Sequence, residues 1–473
     1  MAQPSHSHVE PSVTAPGGVL LISCYELGQQ PLSLVNAAAA LKQAGFTPSL
    51  TDLAVESLDP TKVAAAGLVA FSAPMHTAMR LAIPEARRVR ELNPECHINF
   101  FGLYAELNRV YLKETVADTC LGPEFETELI DLCRLLDRGS PAIVQRPSGK
   151  PDKHWRSLVP DRSGLPNLDQ YVTFSDGEQK RTVGYVTTTR GCKHLCLHCP
   201  IPPVYGGRFY TVNRDAVLED IHRLVELGAQ HITFGDPDFL NGPGHALRVA
   251  RSVHEAYPDV SFDYTAKISH LAEHTPVVEE LASLGCAFVV SALESLSANT
   301  LQQLDKGHTA DDIYDVVHHF KRIGLTLRPS LLPFTPWDTM NDYVALLDFI
   351  EREGLVDSTD PVQYSIRLLL PPGSPLLERP SVRKHIGAFE PARLTHTWKH
   401  PDPRMDELQE EVAQIVDTAA RSDEDPAITF FRIRRLAADA QGDETSRFVE
   451  DDVQRRFPNG RPMPPALSEN WFC

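Results

Sequence analysis

Three of the nine cysteines lie within eight residues, as Cys192, Cys196 and Cys199, in the spacing Cys-x3-Cys-x2-Cys. Thiolates ligate metals, but a structural zinc site needs four ligands and a disulfide framework needs an even number of cysteines. Three thiolates can instead hold three irons of a [4Fe-4S] cube and leave the fourth iron open to a substrate or a second cofactor. The spacing therefore predicts an iron–sulfur cluster with one open iron.

Two histidines, His194 and His198, stand between these cysteines, so a Cys3His zinc site is the chemical alternative. Zinc ligands usually come as two pairs separated by a dozen or more residues, and here they would share one short loop. The zinc interpretation is therefore the weaker of the two.

The cysteines follow a strand-like run, "VGYVTTT", that opens a series of alternating strands and helices. Five further apolar runs follow it, at residues 231–235, 261–268, 286–292, 324–334 and 362–370. Strands that alternate with helices predict parallel strands, and six such units fit a partial (β/α)6 TIM barrel over residues 181–390. The cysteines would then lie at the carboxyl end of the first barrel strand, where barrel enzymes carry their chemistry.

The rest of the chain predicts an α/β domain, a linker and a helical end. Residues 16–137 alternate strands, at 19–23, 47–53, 66–74 and 97–105, with helices, which is typical of a doubly wound domain. Residues 1–15 are polar and expected to be disordered, and residues 138–180, rich in Pro, Gly and charge, predict a linker. Residues 391–473 predict a helical extension and tail, including an amphipathic helix with one apolar face. That face comprises Leu408, Val412, Ile415, Val416 and Ala419.

Composition excludes several classes of function. The formal net charge is −18, and nucleic-acid binders need Lys and Arg to neutralise phosphates, so no nucleic-acid partner is predicted. The first residues lack the apolar segment of a secretory signal, and no run approaches 18 apolar residues, so no membrane partner is expected. A cytoplasmic location, with reduced thiols, is the expectation.

The cysteine motif and its position after the first barrel strand resemble the radical S-adenosylmethionine (SAM) superfamily. The resemblance implies that the amino and carboxylate groups of SAM chelate the open iron. One electron then cleaves the sulfonium and yields a 5′-deoxyadenosyl radical, which attacks a substrate that the sequence does not identify. It also implies a reductant partner such as flavodoxin or ferredoxin. No catalytic side chain is predicted.

The resemblance assigns cofactor roles to residues at two places. His198 takes the place of an aromatic residue near the SAM adenine. Gly235, Asp236 and Asp238 replace the family's Gly-Gly-Glu after the second strand and would receive the SAM amino group, because an ammonium needs strong acceptors. Which carboxylate acts is left open, and a helix N-cap is the structural alternative for these aspartates.

The third and fourth strands supply the remaining candidates. Lys267 would pair with the SAM carboxylate, since a cation in a barrel mouth is costly without a partner. The alternative is a side chain that extends to solvent. The stretch "SALES" places Ser291 and Glu294 where the family contacts the SAM ribose or carboxylate.

The front domain resembles the cobalamin-binding domain of the cobalamin-dependent radical SAM class. That class carries an Asp-x-His-x-x-Gly motif, which this chain lacks, and His76 does not fit its spacing. Cobalamin as a cofactor is therefore left open. A cobalamin-dependent radical SAM methyltransferase is the first alternative function, and a non-catalytic cobalamin- or zinc-binding sensor is the second.

Four stretches, "TTRGCKHLCLHCPIPPVYGGRF", "HITFGDPDFLNGPGHALR", "LDKGHT" and "HPDPR", resemble a bacterial radical SAM group with a conspicuous tail. In that group Trp-Phe-Cys is followed by selenocysteine or a second cysteine and then Ala-Glu-Pro. The sequence here stops at Cys473. The hypothesis is a truncated selenoprotein, in which a selenocysteine codon follows Cys473, and a natural end with an incidental cysteine is the alternative.

Overall fold

The computed structural model describes residues 13, 15, 17–139, 150, 154–177, 179–442 and 463–469. They divide into two compact units, residues 1–170 and 171–473. The expected disorder of residues 1–15 and the interpretation of Cys473 fall almost wholly outside the described residues.

The first unit contains one five-stranded parallel sheet in the order β2-β1-β3-β4-β5, a doubly wound order. Its strands are β1 (Val19–Ser23), β2 (Ser49–Asp52), β3 (Leu68–Ser72), β4 (His97–Phe101) and β5 (Thr119–Leu121). Every residue of β1 and β3 is buried, which explains why both read as continuous apolar runs. The first four strands lie where the sequence predicts them, whereas β5 has only three residues and was not predicted.

Six helices connect and cover these strands. They are α1 (Leu32–Gln43), α2 (Pro60–Ala65), α3 (His76–Leu92), α4 (Leu103–Leu107), α5 (Arg109–Thr115) and α6 (Glu126–Asp137). Residues 154–170, part of the predicted linker, belong to this unit. Buried Arg162 donates a 2.8 Å hydrogen bond to Gln30 Oε1 and thereby attaches this segment to the residues before α1.

The second unit is built on a seven-stranded sheet in the order β13-β12-β11-β10-β7-β6-β16. Two of its strands, β6 (Thr173–Ser175) and β16 (Ala466–Leu467), form an antiparallel edge. The other five run parallel in chain order: β7 (Lys180–Val186), β10 (His231–Phe234), β11 (Ser261–Thr265), β12 (Cys286–Glu294) and β13 (Thr326–Leu331). Their carboxyl ends therefore lie along one edge. Two short hairpins accompany the sheet, β8 (Thr189–Gly191) with β9 (Phe209–Thr211), and β14 (Ile386–Glu390) with β15 (Thr395–Trp398).

Helices separate the parallel strands and complete an α/β half-barrel. They are α7 (Pro202–Tyr205), α8 (Arg214–Glu226), α9 (Pro243–Ala256), α10 (Ile268–Glu273), α11 (Thr275–Ser283), α12 (Ala298–Gln303), α13 (Ala310–Ile323) and α14 (Met340–Arg352). Thr309 and Thr339 begin α13 and α14 with capping boxes, in which the threonine and the aspartate three residues later bond to each other's backbone N–H.

The predicted sixth strand, residues 362–370, was wrong. A 3-10 helix occupies Pro361–Ser365, and one parallel bridge joins Phe334 to Arg367. Pro361 cannot donate a ladder hydrogen bond, and the Gln363 side chain accepts the bond from Leu331 N at 2.9 Å in place of a strand carbonyl. The sheet thus has five parallel strands, and a side chain takes part of the role of the sixth.

The C-terminal region adds α15 (Pro380–Arg383), α16 (Pro403–Ser422) and α17 (Pro426–Gln441). Four of the five residues on the predicted apolar face of α16 are buried, and Ile415 is partly exposed. Within the described ranges, no helix combines the length and apolar character needed to cross a bilayer.

Candidate active site

The cysteine loop lies at the carboxyl end of the parallel strands, between β8 and β9. Cys192 directly follows β8, and two residues separate Cys199 from the start of α7. None of the three cysteines forms a disulfide; Cys196 is buried, and Cys192 and Cys199 are partly exposed. A turn bond from Cys199 N to Cys196 O, 3.2 Å long, folds the segment between the last two cysteines. Partial access suits a cofactor that must enter from outside.

Gly191 fixes the backbone at the entry to this loop. Its φ is +78°, and a Cβ there would lie 2.5 Å from Arg208 O and 2.6 Å from the Tyr205 ring. Only glycine tolerates both the dihedral and the close approach. The absence of a side chain at Gly191 therefore lets the backbone just before Cys192 pack directly against Tyr205 and Arg208.

Asp236, after β10, anchors the chain that leads into the cysteine loop. It is buried and accepts hydrogen bonds from Thr188 N and Thr188 Oγ1, both 2.9 Å, and from Thr189 Oγ1 at 2.5 Å. Burial raises the pKa of Asp236 to about 6, although these bonds oppose the shift. Gly235 precedes it, where a Cβ would overlap the Tyr185 ring. Both residues shape the backbone of the site.

Asp238 lies in a polar cluster that the sequence did not reveal. Its Oδ2 is 2.7 Å from His270 Nδ1 and 3.5 Å from His194 Nε2, and the two histidine Nε2 atoms are 3.1 Å apart. Burial raises the pKa of Asp238, but the contacts from His194 and His270 outweigh it and lower the pKa below its usual value. Its Oδ1 caps the next turn through Leu240 N at 3.0 Å. Asp238 therefore acts as a helix N-cap through Oδ1 and contacts the two histidines through Oδ2.

Donor atoms of His194, Asp238 and His270 lie within 4.8 Å of one another, a set that a divalent metal could use. Lys267 Nζ, however, is 3.5 Å from His194 Nδ1. An ammonium at that distance repels a second cation, so the cluster is better described as a network of polar contacts. Lys267 therefore points towards the cysteine loop.

Two predicted residues lie on β12, and they differ in what they contact. Ser291 is fully buried, and its hydroxyl donates a 2.7 Å bond to Ala266 O, next to Lys267. Glu294 ends the strand at φ +64°, where the pairing register with β13 shifts. Such irregularities redirect a side chain next to a functional site.

Glu294 Oε1 contacts two groups at once, His198 Nε2 at 3.1 Å and Lys306 Nζ at 2.9 Å. Burial raises the pKa of Glu294, but Lys306 and His198 together lower it far below the ordinary range. The predicted pair His198 and Glu294 is thus in direct contact.

The sequence interpretation missed Lys306, His270 and Asn241. Asn241 Oδ1 accepts a 3.2 Å bond from Lys193 N, and it is 3.7 Å from Cys192 Sγ. A usable signal existed for two of them: His270 follows the third strand by five residues, and Lys306 precedes a glycine in "LDKGHT". Neither signal reveals which partner the side chain meets.

The zinc-site alternative requires ligand atoms that lie close to one another. A single zinc ion holds its ligands at about 2.0–2.3 Å, so their donor atoms lie within about 4 Å of one another. Among the residues that the structure describes, the one group of three donors within 4.8 Å is His194, Asp238 and His270, without a cysteine. The three cysteines therefore do not form such a group among the described residues.

Residues 186–350 match the family model described as the radical SAM superfamily. This chain contains a radical SAM domain. The match begins at the end of β7 and ends within α14, so it includes the cysteine loop and the carboxyl ends of all five parallel strands. The expected radical SAM domain is confirmed over these residues.

Curated relatives match part of the chain. An uncharacterized methyltransferase of Pyrococcus horikoshii, PH0819, is 26% identical over 41% of this chain and 41% of its own length. The ribosomal protein uS12 methylthiotransferase RimO of Clostridium acetobutylicum is 24% identical over 54% of this chain and 59% of its own length. The chain spans about half the length of these relatives.

Solved structures extend the likeness of fold. The radical SAM methyltransferase TsrM of Kitasatospora setae, with tryptophan and a SAM analogue bound, matches with a TM-score of 0.61 at 18% identity, over 76% of this chain and 74% of that one. The cobalamin-dependent SAM radical enzyme OxsB, with aqua-cobalamin and SAM bound, matches with a TM-score of 0.64 at 14% identity, over 93% and 75%. The second match shows that the fold likeness extends well beyond the radical SAM domain.

Gly191→Ala should destabilise the second unit by about 3 kcal/mol or more, because a strained φ combines with overlap against a backbone carbonyl. The matched control is Gly324→Ala, which has φ +70° but no atom within 4 Å of the added Cβ, and should cost only about 1 kcal/mol. Urea unfolding followed by fluorescence measures both. Equal losses for the two variants would contradict the close approach at Gly191.

Proposed function

We propose that this chain is a radical SAM enzyme in which Cys192, Cys196 and Cys199 ligate three irons of a [4Fe-4S] cluster. SAM would complete the coordination of the fourth iron. The cluster would supply the one electron that cleaves SAM to methionine and a 5′-deoxyadenosyl radical, which would act on a substrate not yet identified. The observation that carries the proposal is the position of three cysteines, none of them in a disulfide, at the carboxyl edge of a radical SAM half-barrel.

The surrounding residues suit a zwitterionic cofactor. Lys267 supplies a cation for the SAM carboxylate, and Asp238 supplies an anion for the amino group. They lie on opposite sides of His194, which contacts both. A ligand with both charges would therefore meet a complementary partner at each end.

The remaining predicted residues take supporting roles in this proposal. Glu294 accepts from the ribose, and His198 lies against the adenine. Gly235, Asp236 and Ser291 set the backbone around them, since the hydroxyl and carboxylate oxygens of Ser291 and Asp236 are already engaged within the chain.

Methyl transfer through cobalamin is the more specific candidate. Its support is the doubly wound order of the first unit, together with the fold likeness to OxsB, a protein described as cobalamin-dependent. Ligands of such sheets bind beyond the carboxyl ends of the strands, where Cys24 follows β1. Burial raises the pKa of the Cys24 thiol far above its ordinary range, so Cys24 does not suit cobalt as a thiolate. With no Asp-x-His-x-x-Gly motif in the sequence, a bound cobalamin would lack that motif's histidine ligand.

A low-potential donor such as flavodoxin or ferredoxin supplies the electron in this proposal, and the cytoplasm is the proposed compartment.

Anaerobic reconstitution should give about 4 iron and 4 sulfide per chain, because three thiolates hold one cube. Replacement of Cys192, Cys196 or Cys199 by Ser should remove most of the iron and all formation of 5′-deoxyadenosine. Cys96→Ala, in the first unit, is the control and should retain both. Iron and sulfide assays with product chromatography make the measurement, and S-adenosylhomocysteine with bound cobalt would identify methyl transfer. Full iron content in a Cys196→Ser variant would contradict the ligand assignment.

Lys267→Met should weaken SAM binding by about tenfold to a hundredfold, the value of one charge-assisted contact of about 1.5–3 kcal/mol. Equilibrium dialysis of reconstituted protein with labelled SAM gives the Kd. Lys321→Met is the control, because Lys321, on α13, is exposed and is paired with Glu353 at the end of α14. An unchanged Kd in Lys267→Met would refute the role of Lys267.

A further inference from the structure

Lys306 is a buried cation beside the cysteine loop. It is 3% exposed and follows α12, between Asp305 at φ +53° and Gly307 at φ +67°. A left-handed conformation at a residue other than glycine, such as Asp305, is uncommon and costly. This backbone turns the chain sharply and directs the Lys306 side chain inwards.

The charge of Lys306 is balanced by one carboxylate. Its Nζ is 2.9 Å from Glu294 Oε1, and both side chains are more than nine-tenths buried. Burial lowers the pKa of Lys306, but the adjacent Glu294 carboxylate acts against burial, and the pKa is raised. The side chain is therefore a fixed positive charge at physiological pH.

Lys306 is also held at a fixed place relative to the cysteines. His198, between Cys196 and Cys199, contacts the same Glu294 oxygen as Lys306. A backbone bond from Leu197 N to Leu304 O, 2.9 Å long, joins the cysteine loop to the segment that carries Lys306. The cation is thus held, through Glu294, next to His198, which lies between two of the three proposed ligands.

We infer that Lys306 raises the reduction potential of the proposed cluster. This inference rests on the proposed function. Reduction adds one negative charge to the cluster, and a fixed cation in a poorly solvated site stabilises that charge more than water would. Lys306 acts through electrostatics and through Glu294, so it is a positioning residue and not a catalytic one.

A simple structural ion pair is the competing explanation. It would make Lys306 important for stability and leave the cluster potential unchanged when either partner is replaced, because neither charge of the pair would then act on the cluster. The potential therefore separates the two explanations, whereas loss of activity alone would not.

The test is a redox titration of the reconstituted full chain, without SAM, in which the reduced cluster is followed by electron paramagnetic resonance. Lys306→Met should move the midpoint to a more negative value, and Lys306→Arg should stay near the wild type. Glu294→Gln removes the balancing anion and should move the midpoint to a more positive value. Lys321→Met, which removes a cation on the outer surface, should leave it unchanged.

A Lys306→Met protein with a full cluster and the wild-type midpoint would overturn the inference. If Lys306→Met holds no cluster, Glu294→Gln decides the matter, and an unchanged or more negative midpoint there overturns the inference. A wild-type chain that assembles no cluster would refute the proposed function itself, and the inference with it. If the cluster forms and cleaves SAM, but its midpoint potential is the same in Lys306→Met, Glu294→Gln and the wild type, the inference alone is refuted.

Discussion

Two buried carboxylates hold the cysteine loop against the ends of the parallel strands. Asp236, after β10, binds the chain just before the first cysteine, and Glu294, at the end of β12, contacts His198 between the other two. Burying a carboxylate is costly unless its oxygens are satisfied. The structure meets this cost in two ways: neutral hydroxyl and amide donors surround Asp236, and a cation faces Glu294. The first arrangement leaves a carboxyl whose pKa is about 6, and the second keeps the carboxylate fully ionised.

Unusual backbone conformations are found where this loop meets its supports. Gly191 and Glu294 both have positive φ, and so do the two residues that flank Lys306. Gly191 lets the backbone enter the cysteine loop, and the other three lie at or next to Glu294 or Lys306, whose side chains face that loop. A half-barrel provides the rigid edge, and a few strained positions direct the polar groups away from it. The cost of these positions is consistent with a site in which function, and not stability alone, determines the geometry.

Much of this arrangement could be predicted from the sequence, because it depends on local pattern. Buried parallel strands read as apolar runs, and the residues after each run must gather at one edge, which located the cysteines, Asp238, Lys267 and Glu294. The short strand β5 and the antiparallel strands β6 and β16 were not predicted, because a run of two or three residues is too short to show the alternation of buried and exposed residues typical of a strand. The false sixth strand had the right composition, but its hydrogen bond is made by the Gln363 side chain. Lys306 and His270 were missed because the path of the chain in space, and not their spacing, decides which groups they face.

The central claim is that three thiolates leave one iron of a cube for SAM. Mössbauer spectra of anaerobically reconstituted protein carrying 57Fe, recorded before and after addition of SAM, test it most directly. The account predicts that one iron of the four changes its isomer shift when SAM binds, while the other three keep theirs. Spectra that show a complete cube with four equivalent irons, unaltered by saturating SAM, would contradict it.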